Sequence, residues 1–397
     1  MNTEIYKPVV FLILLFHASF INLPYVHGYG LYKYAMLLIV GCFLLIHYRI
    51  FKVHEYKKIN KWLLLYLAMV LISSYINKNS VQERKVFLVA IIFAVTVLEI
   101  YYLFEYFIIL NRTQELINAL FYLLFFYCLI TDLVMFLFPT LYIEKENYYL
   151  IGNKFEVSYL HLQLLIMYLQ RKKCTRRRME AGKSDLIFWI MVAISFWATI
   201  NVQCTTGTIG VILLVFFYYC MAQKEKTFKK PAVFLLILLV SVSVLMLFSG
   251  IVQFEPIRYL VEDVFHRDIT LTGRLIIYEQ ISKVFSGHLL FGYGMGSSFE
   301  IVMKMISAPN TQNGVLEIIL QQGIISLILW GILVWKVFQY LYRKREINYA
   351  LIMLYIYIIF ASIEITLDIS FLIWLALALV FEKDTEKKRL DRQESKE

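Results

Sequence analysis

The sequence has few charged residues and no polar segment long enough to form a soluble domain. Charged residues make up 17% of the 397 residues, whereas soluble proteins carry about 25%. Hydrophobic residues make up 60%, and the mean hydropathy is +0.67. Since the longest stretch between apolar runs is 251–315, there is no room for a Rossmann or P-loop domain. ATP-driven transport within this one chain is therefore excluded. Soluble nucleic-acid binding is excluded too, despite a net charge of +10.

Motifs for metals and disulfides are missing as well. None of the five cysteines is spaced as CxxC from another, and no HExxH pattern occurs. Most of the cysteines lie in or beside apolar runs, where a thiol behaves as a small core residue. The sequence therefore predicts neither a disulfide nor a metal site.

The chain has instead many apolar runs near the length that crosses a bilayer, about 20 residues. We predict an all-α, polytopic transmembrane helical bundle with about twelve spans. The predicted spans are 8–24, 31–47, 61–76, 86–109, 116–138, 156–170, 185–203, 206–222, 231–250, 316–340, 348–365 and 368–382.

The distribution of basic residues sets the predicted orientation. With the N-terminus in the cytoplasm, the inner segments hold most of the 39 lysines and arginines. Cytoplasmic loops of membrane proteins carry this excess, so both termini are predicted to be cytoplasmic in a plasma-membrane protein. The predicted division is 1–250 for spans one to nine, 251–315 for an outer catalytic loop, 316–382 for spans ten to twelve, and 383–397 for a charged cytoplasmic tail.

The outer loop contains a predicted amphipathic helix at 273–286. Thr272 is a suitable N-cap and Gly287 a suitable stop. The apolar stripe between them consists of Ile277, Ile281, Val284 and Phe285. Arg274 lies in the first turn, where a cation opposes the helix dipole unless an anion is bound there. An Arg that reaches lipid phosphate fits the spacing equally well, so both interpretations stay open.

Glycines and carboxylates supply further candidates. The turn Gly292-Tyr293-Gly294-Met295-Gly296 could hold backbone N–H groups against a phosphate, or could simply re-enter the bundle.

Ionisable residues at membrane depth are costly and are therefore functional candidates unless an interface solvates them. The candidates of this kind are Glu99, Glu105, Asp132, Glu317, Glu364 and Asp368.

From Gly273-Arg274 to Gly323 the chain resembles the Wzy polysaccharide polymerase and O-antigen ligase superfamily. The family pattern is Gly-Arg, a Gly-aromatic-Gly turn, and His-Asn-x-x-Leu followed six residues later by Gly. The corresponding pieces are Gly273-Arg274, Gly292-Tyr293-Gly294, Gln312-Asn313-Gly314-Val315-Leu316 and Gly323. Gln312 replaces the common His, and Cys204-Thr205-Thr206-Gly207 lacks an Arg that many members carry. These departures weaken the ligase interpretation more than the polymerase interpretation, since polymerases of Gram-positive capsule and exopolysaccharide clusters are the more similar.

The resemblance implies a metal-independent, cofactor-free glycosyltransferase that acts on the outer face of the membrane. The donor is a glycan on undecaprenyl pyrophosphate, and the acceptor is a lipid-linked repeat unit whose hydroxyl displaces the lipid pyrophosphate. A flippase and a chain-length regulator of the same pathway are implied partners. Arg274 is the first candidate for stabilising the leaving pyrophosphate. The other candidates are Arg258, Arg267 and Lys154 as cations, His266, Asp268 and Glu317 as bases, and Gly292, Tyr293, Gly294, Gln312 and Asn313 as substrate-binding residues.

Two other functions stay open on the sequence. An O-antigen ligase-like transferase would carry similar motifs, and a lipid-linked oligosaccharide flippase would also have about twelve spans. The long outer loop does not suit a flippase, and no pair of Gly- or Pro-broken spans occupies matching positions of two halves. A loop that folds over a cavity lined by Arg274 would favour the transferase.

Overall fold

The computed structural model shows a helical protein throughout the part of the chain that it describes. The described residues are 7–23, 26–48, 57–139, 149–175, 185–251, 255, 274–344 and 347–394. These residues form fourteen helices, together with an isolated β-bridge between Tyr149 and Gly152.

The helices follow one another as a bundle with two extra helices inserted before α12. The first nine are α1 (Lys7–Ser19), α2 (Tyr29–Ile46), α3 (Lys57–Ile76), α4 (Val86–Ile109), α5 (Thr113–Leu137), α6 (Lys154–Thr175), α7 (Leu186–Asn201), α8 (Thr205–Phe228) and α9 (Pro231–Ile251). The inserted pair is α10 (Arg274–Phe285) and α11 (Ser298–Ile306). The last three are α12 (Gly314–Tyr342), α13 (Ala350–Phe360) and α14 (Ile369–Glu394).

Each of the twelve predicted spans contains a helix of the bundle. Six helices among the described residues are long and apolar enough to cross a membrane, namely α2, α3, α4, α5, α8 and α12. Shorter apolar helices lie at α1, α7, α9, α13 and the first half of α14. The all-helical fold is confirmed for the described residues, with several helices long and apolar enough to cross a membrane, while the number of twelve spans stays a prediction.

The polar character of α6 is explained by its position inside the bundle. Its side chains Ser158, His161, Gln163 and Gln170 are all buried, because α5, α7, α8 and α13 pack against this helix. Polar residues enclosed in this way contact protein instead of lipid. A search by hydropathy alone can therefore miss α6 as a membrane-spanning helix.

Segments predicted to lie on the same side of the membrane are found at the same end of the bundle. At one end the buried Lys229 pairs with Glu225 at 2.5 Å and with Glu382 at 3.4 Å. Lys173 donates to the carbonyl of Ile347 at the same end. These residues belong to, or directly adjoin, segments that the sequence predicts to be cytoplasmic. We call the opposite end, which carries α10 and α11, the loop end.

A break in α12 shapes the loop end. Gly323 has φ +81° and ψ 167°, so carbonyls of the preceding turn lose their helical donors. The turn after α10 supplies replacements and anchors itself there. The bonds are Tyr293 N–H to Leu320 O at 2.7 Å, Gly294 N–H to Gln321 O at 2.9 Å, and Ile324 N–H to Leu289 O at 2.9 Å.

The amphipathic helix predicted at 273–286 is α10, and its apolar stripe packs inward. Ile277 and Val284 are buried, with Ile281 and Phe285 partly buried beside them. The same apolar cluster contains Val81 and Val86 of the α3–α4 segment, Tyr293, and Ile301 and Val302 of α11. This cluster fixes α10 and α11 to the loop end.

Candidate functional site

A cavity of about 600 Å³ lies at the loop end, within the size range of ligand sites. Side chains from α1, α2, α6 and α13 line it, together with the segments that precede α12 and α14. Carboxylates, amides and hydroxyls make up much of this lining. The cavity can therefore hydrogen-bond a ligand that carries many hydroxyl groups.

A capping box starts α6 at the edge of the cavity. Oδ1 of Asn153 accepts hydrogen bonds from the N–H groups of Phe155 at 2.9 Å and Glu156 at 3.2 Å. The Glu156 carboxylate accepts the N–H of Asn153 at 2.7 Å in return, which satisfies donors of the first turn reciprocally. Gly152 has φ +115°, and a Cβ there would lie 1.9 Å from Glu156 Oε2. The segment Gly152-Asn153-Lys154 thus starts α6 and fixes Glu156 in the cavity lining.

A second asparagine cap starts α12 beside the cavity. Asn313 is fully buried, and its Oδ1 accepts from the N–H groups of Val315 at 3.0 Å and Leu316 at 3.1 Å. The preceding residue, Gln312, has φ +50° and lines the cavity together with Asn310. The two motif residues therefore divide their roles: Asn313 caps the helix, and Gln312 contributes to the cavity wall.

Glu317 is held by protein donors on both carboxylate oxygens. Its Oε2 accepts the Thr311 hydroxyl at 2.7 Å, and its Oε1 accepts Gln321 Nε2 at 2.7 Å. Its side chain is buried, with 4% of its surface exposed. These contacts give Glu317 the structural role of joining the segment before α12 to the first turns of that helix. They lend no support to its predicted role as a base.

Tyr278 ties α10 to the edge of the cavity. Its hydroxyl lies 3.0 Å from Gln312 O and 2.8 Å from Ser362 O, so it bridges the segments before α12 and after α13. Arg274, the first residue of α10, precedes Tyr278 by four residues.

Four charged side chains line the cavity among the residues that the structure describes: Lys33, Glu156, Glu364 and Asp368. Lys33 interacts electrostatically with Glu156. Glu364 accepts the Thr206 hydroxyl at 3.5 Å, and Asp368 caps the first turn of α14. This part of the cavity is therefore acidic, with three carboxylates and one ammonium group. The carboxylates can accept hydrogen bonds from hydroxyls and take up a proton.

The glycine turn does not offer its backbone N–H groups to a ligand. Within Gly292–Gly296 every N–H has a protein acceptor. These acceptors are His288 O, Leu320 O, Gln321 O, Ser74 Oγ and Gln321 Oε1 in chain order. We correct the phosphate-cradle interpretation accordingly, since the turn instead completes the broken α12. The three glycines have positive φ, and a Cβ on Gly292 would lie 2.6 Å from Leu320 O.

Contacts with the α3–α4 loop hold α11 in place. The Glu300 carboxylate accepts the N–H groups of Gln82 at 2.8 Å and Glu83 at 3.0 Å. These two backbone hydrogen bonds lower the pKa of Glu300 below its ordinary value. The ionised form of Glu300 therefore stabilises this contact.

The structure places the remaining predicted site residues as follows. Arg258, Arg267, His266 and Asp268 lie outside the described residues, and Arg274 begins α10. Lys154 begins α6, with its Nζ 5.6 Å from the centre of the Phe155 ring. Its neighbours Asn153 and Phe155 line the cavity. Of the predicted substrate-binding residues, Gln312 contributes directly to the cavity wall.

Sequence reasoning missed the residues that come from distant helices. Lys33 is visible in the sequence as a charge within an apolar run, a costly placement that indicates a role. Glu156 is visible as the fourth residue of an Asn-x-x-Glu capping box. Gln163 carries no local signal, because only the packing of α6 in the bundle brings it to the cavity.

Residues 189–331 match the model of the Wzy_C family, which is described as O-antigen ligase. The match contains α8 to α11 and the part of α12 that includes its cap and its break. This segment of the chain is similar to the Wzy/O-antigen ligase superfamily. No curated protein and no solved structure matches the chain.

The Wzy_C match over residues 189–331, which contains the ordered motifs from Gly273 to Gly323, confirms the resemblance that these motifs carry. It supports a membrane glycosyl-transfer function of ligase or polymerase type, with the lipid bilayer and a lipid-linked glycan as partners. The Wzy_C segment supplies Asn310 and Gln312 to the cavity. Lys33, Glu156 and Asp368 lie outside that segment, so the cavity combines the family domain with the rest of the bundle.

Proposed function

We propose that the protein polymerises lipid-linked oligosaccharide repeat units into capsular polysaccharide or exopolysaccharide. The observation that carries this proposal is the loop-end cavity, which Gln312 of the family motif lines together with Glu364 and Asp368. The cavity offers acceptors for sugar hydroxyls, and α10 is tied to its edge by Tyr278. In the proposed orientation the loop end lies on the outer face of the plasma membrane, and both termini are cytoplasmic.

The proposed reaction joins two substrates, each of which is linked to a lipid of its own. The donor is a glycan on undecaprenyl pyrophosphate, and the acceptor is a lipid-linked repeat unit. The acceptor hydroxyl oxygen forms a bond to the anomeric carbon of the donor, while the bond from that carbon to phosphate oxygen breaks. Undecaprenyl pyrophosphate leaves with the bonding electron pair, and the hydroxyl proton passes to a carboxylate of the cavity.

Asp368 is the proposed proton acceptor. All three carboxylates of the cavity accept a hydrogen bond from the protein: Glu156 in its capping box, Glu364 from the Thr206 hydroxyl and Asp368 from the N–H of Ser370. Asp368 is the most exposed residue of the three, whereas Glu156 and Glu364 are half-buried. A proton acceptor has to come within hydrogen-bond reach of the attacking hydroxyl. Of the three bases predicted from the sequence, His266 and Asp268 remain alternatives from outside the described residues, and Glu317 is held by Thr311 and Gln321.

Arg274 is the proposed cation for the leaving pyrophosphate. As the first residue of α10 it stands where the N–H groups of a helix start and a guanidinium can act on one anion. Preorganised donors of this kind stabilise developing charge. Arg258, Arg267 and Lys154 are proposed as secondary cations.

A deletion strain tests the proposal. Loss of the gene should leave single repeat units on lipid and abolish long polymer, and the wild-type gene should restore it. The Asp368→Asn gene should restore on the order of a hundredfold less polymer than the wild-type gene, as expected for a lost proton acceptor. Asn caps a helix as well as Asp, so the start of α14 is preserved. The matched control is Asp185→Asn at the cap of α7, at the opposite end, and it should restore polymer.

Two results would contradict parts of this account. Repeat units that accumulate on the cytoplasmic face in the deletion strain would favour a flippase. Polymer at the wild-type level from Asp368→Asn, with matched protein amounts, would remove Asp368 from the reaction while leaving the polymerase proposal in place.

A further inference from the structure

Three polar atoms in the cavity lining have no hydrogen-bond partner among the described residues. They are Oγ of Ser19, Oε1 of Gln163 and the hydroxyl of Tyr159, of which Gln163 and Tyr159 belong to the same helix, α6. Gln163 is buried, with 6% of its surface exposed. Buried polar groups are normally hydrogen-bonded, and an unpaired one is costly. The two such atoms of α6, which lie beside an open volume, point to a ligand that hydrogen-bonds to both.

The two residues lie on one face of α6. They are four residues apart, so their side chains are neighbours across one helical turn. Gln163 Nε2 donates to the Tyr357 hydroxyl at 3.2 Å, which occupies the second polar atom of the amide. Either orientation of the amide leaves one of its two atoms unpaired. The Tyr159 and Tyr357 rings lie 5.5 Å apart and supply an apolar surface next to the polar atoms.

The charge of the surrounding lining selects among ligands. Glu156, Glu364 and Asp368 face the same volume as Lys33, and the Tyr159 hydroxyl lies within electrostatic range of Glu364 and Asp368. A further carboxylate placed there would be repelled. Uncharged ligands are not penalised in this way.

We propose that Gln163 and Tyr159 form a subsite for an uncharged sugar of the repeat unit. A sugar hydroxyl or acetamido N–H donates to Gln163 Oε1, and an oxygen of the same sugar accepts from the Tyr159 hydroxyl. The sugar's apolar face packs against the ring of Tyr357. The inference rests on the proposed function, because it names the class of substrate that the loop-end cavity accepts.

Binding of monosaccharides to the full chain in nanodiscs tests the subsite. The probes are the methyl glycosides of glucose, N-acetylglucosamine and glucuronic acid, with affinity measured by saturation-transfer NMR. Glucose or N-acetylglucosamine should bind, and their comparison tells whether a hydroxyl or an acetamido group is held. Glucuronic acid should bind at least roughly tenfold more weakly than the better of the two, a difference of about 1.4 kcal/mol.

Variants of the two residues separate recognition from folding. Tyr159→Phe and Gln163→Leu should each weaken sugar binding roughly tenfold, the loss expected for one hydrogen bond. Tyr159→Phe removes only a hydroxyl that has no partner among the described residues, so its melting temperature should be unchanged or higher. Matched controls are Gln170→Leu on the same helix and Tyr101→Phe on α4. Each removes a buried polar atom without a partner in the described part of the chain, and neither residue lines the cavity. Gln170→Leu also removes the contact of its Nε2 with Cys174, as Gln163→Leu removes the contact with Tyr357. These controls should bind the sugars as the wild type does.

The outcomes distinguish the subsite from the proposed function. Wild-type sugar affinity in both cavity variants, equal binding of glucuronic acid, or no binding of any probe would overturn the subsite, whether or not polymer is made. Suppose that both variants lose sugar binding, and that deletion of the gene leaves the polymer intact. This pair of results would support the subsite and overturn the polymerase proposal.

Discussion

Gly323 approaches the backbone of Leu290 so closely that a Cβ on the glycine would lie 2.1 Å from the Leu290 carbonyl oxygen. This contact joins the break in α12 to the turn that follows α10. The family motif ends on this glycine, and its left-handed conformation allows the turn to replace the lost helical hydrogen bonds. The spacing between Asn313 and Gly323 thereby sets the distance from the α12 cap to the break.

Gly323→Ala should destabilise the protein strongly. Both the positive φ and the overlap with Leu290 oppose a side chain, and together they should cost on the order of 3 kcal/mol. The matched control is Gly331→Ala on the same helix, where a Cβ has no atom within 4 Å and helix propensity favours Ala. Thermal unfolding of the purified protein in detergent measures the difference. Equal melting temperatures for the two variants would contradict the role assigned to the break.

The helices were largely predictable because apolar runs and caps are local signals. The run at 86–109 coincides with α4, Val86–Ile109, and the stripe from Ile277 to Phe285 predicts α10 and its buried face. The break at Gly323 was not predicted, since α12 reads as one continuous apolar run from 316 to 340. Only the approach of Leu290 from a segment more than thirty residues earlier explains it.

Arg274 should tolerate no conservative substitution. A planar, two-pronged guanidinium donor that binds pyrophosphate is not replaced by the point charge of a lysine. Arg274→Ala should raise the barrier by on the order of 3 kcal/mol, about a hundredfold in rate, and Arg274→Lys should fail as well. Polymer length in the complemented deletion strain measures both variants at matched protein levels.

The control for Arg274 is Lys283→Ala in the last turn of the same helix, which should give normal polymer. If the Lys variant made full-length polymer, the two-pronged contact would be refuted. If the Ala variant did so, Arg274 would have no part in the site.

The contact of Glu300 with the α3–α4 loop should depend on pH. The folded-state pKa of Glu300 is below its ordinary value of 4.5, so this contact contributes stability at neutral pH and loses it as the pH falls below that value. Amide exchange at Gln82 and Glu83, corrected for intrinsic rates, should become less protected between about pH 6 and about pH 3.5. Glu300→Gln should remove this dependence, whereas Glu83→Gln should keep it. Protection that is independent of pH in the wild type would contradict the assignment.

The orientation can be tested by cysteine labelling. In a background that lacks the five native cysteines, a membrane-impermeant reagent applied to intact cells should label Ser286→Cys and miss Lys173→Cys. Ser286 follows α10 at the loop end, and Lys173 contacts Ile347 at the opposite end. Both positions should react after permeabilisation. The reverse pattern in intact cells would place the cavity on the cytoplasmic side and overturn the site along with the topology.

The candidate site was predictable only in part, because its wall is assembled from distant segments. Gln312 was found through an ordered motif, whereas Lys33, Glu156 and Gln163 reach the cavity through the packing of α2 and α6. A phosphate cradle was one of two interpretations of the glycine turn, and the structure gives four of its five N–H groups to α12 and α3 instead. A glycine pattern shows that a backbone approaches something closely, and the partner becomes visible only in three dimensions.

Chain growth by the purified protein tests the central claim most directly. Wild-type protein in liposomes, supplied with lipid-linked repeat units on the side that the loop end faces, should produce a ladder of longer lipid-linked glycans. It should release one undecaprenyl pyrophosphate per added unit, without nucleotide. Asp368→Asn, present at the same level and with the same melting temperature, should leave single units. Repeat units that cross the bilayer without growing in the wild-type sample would contradict the polymerase and identify a transporter.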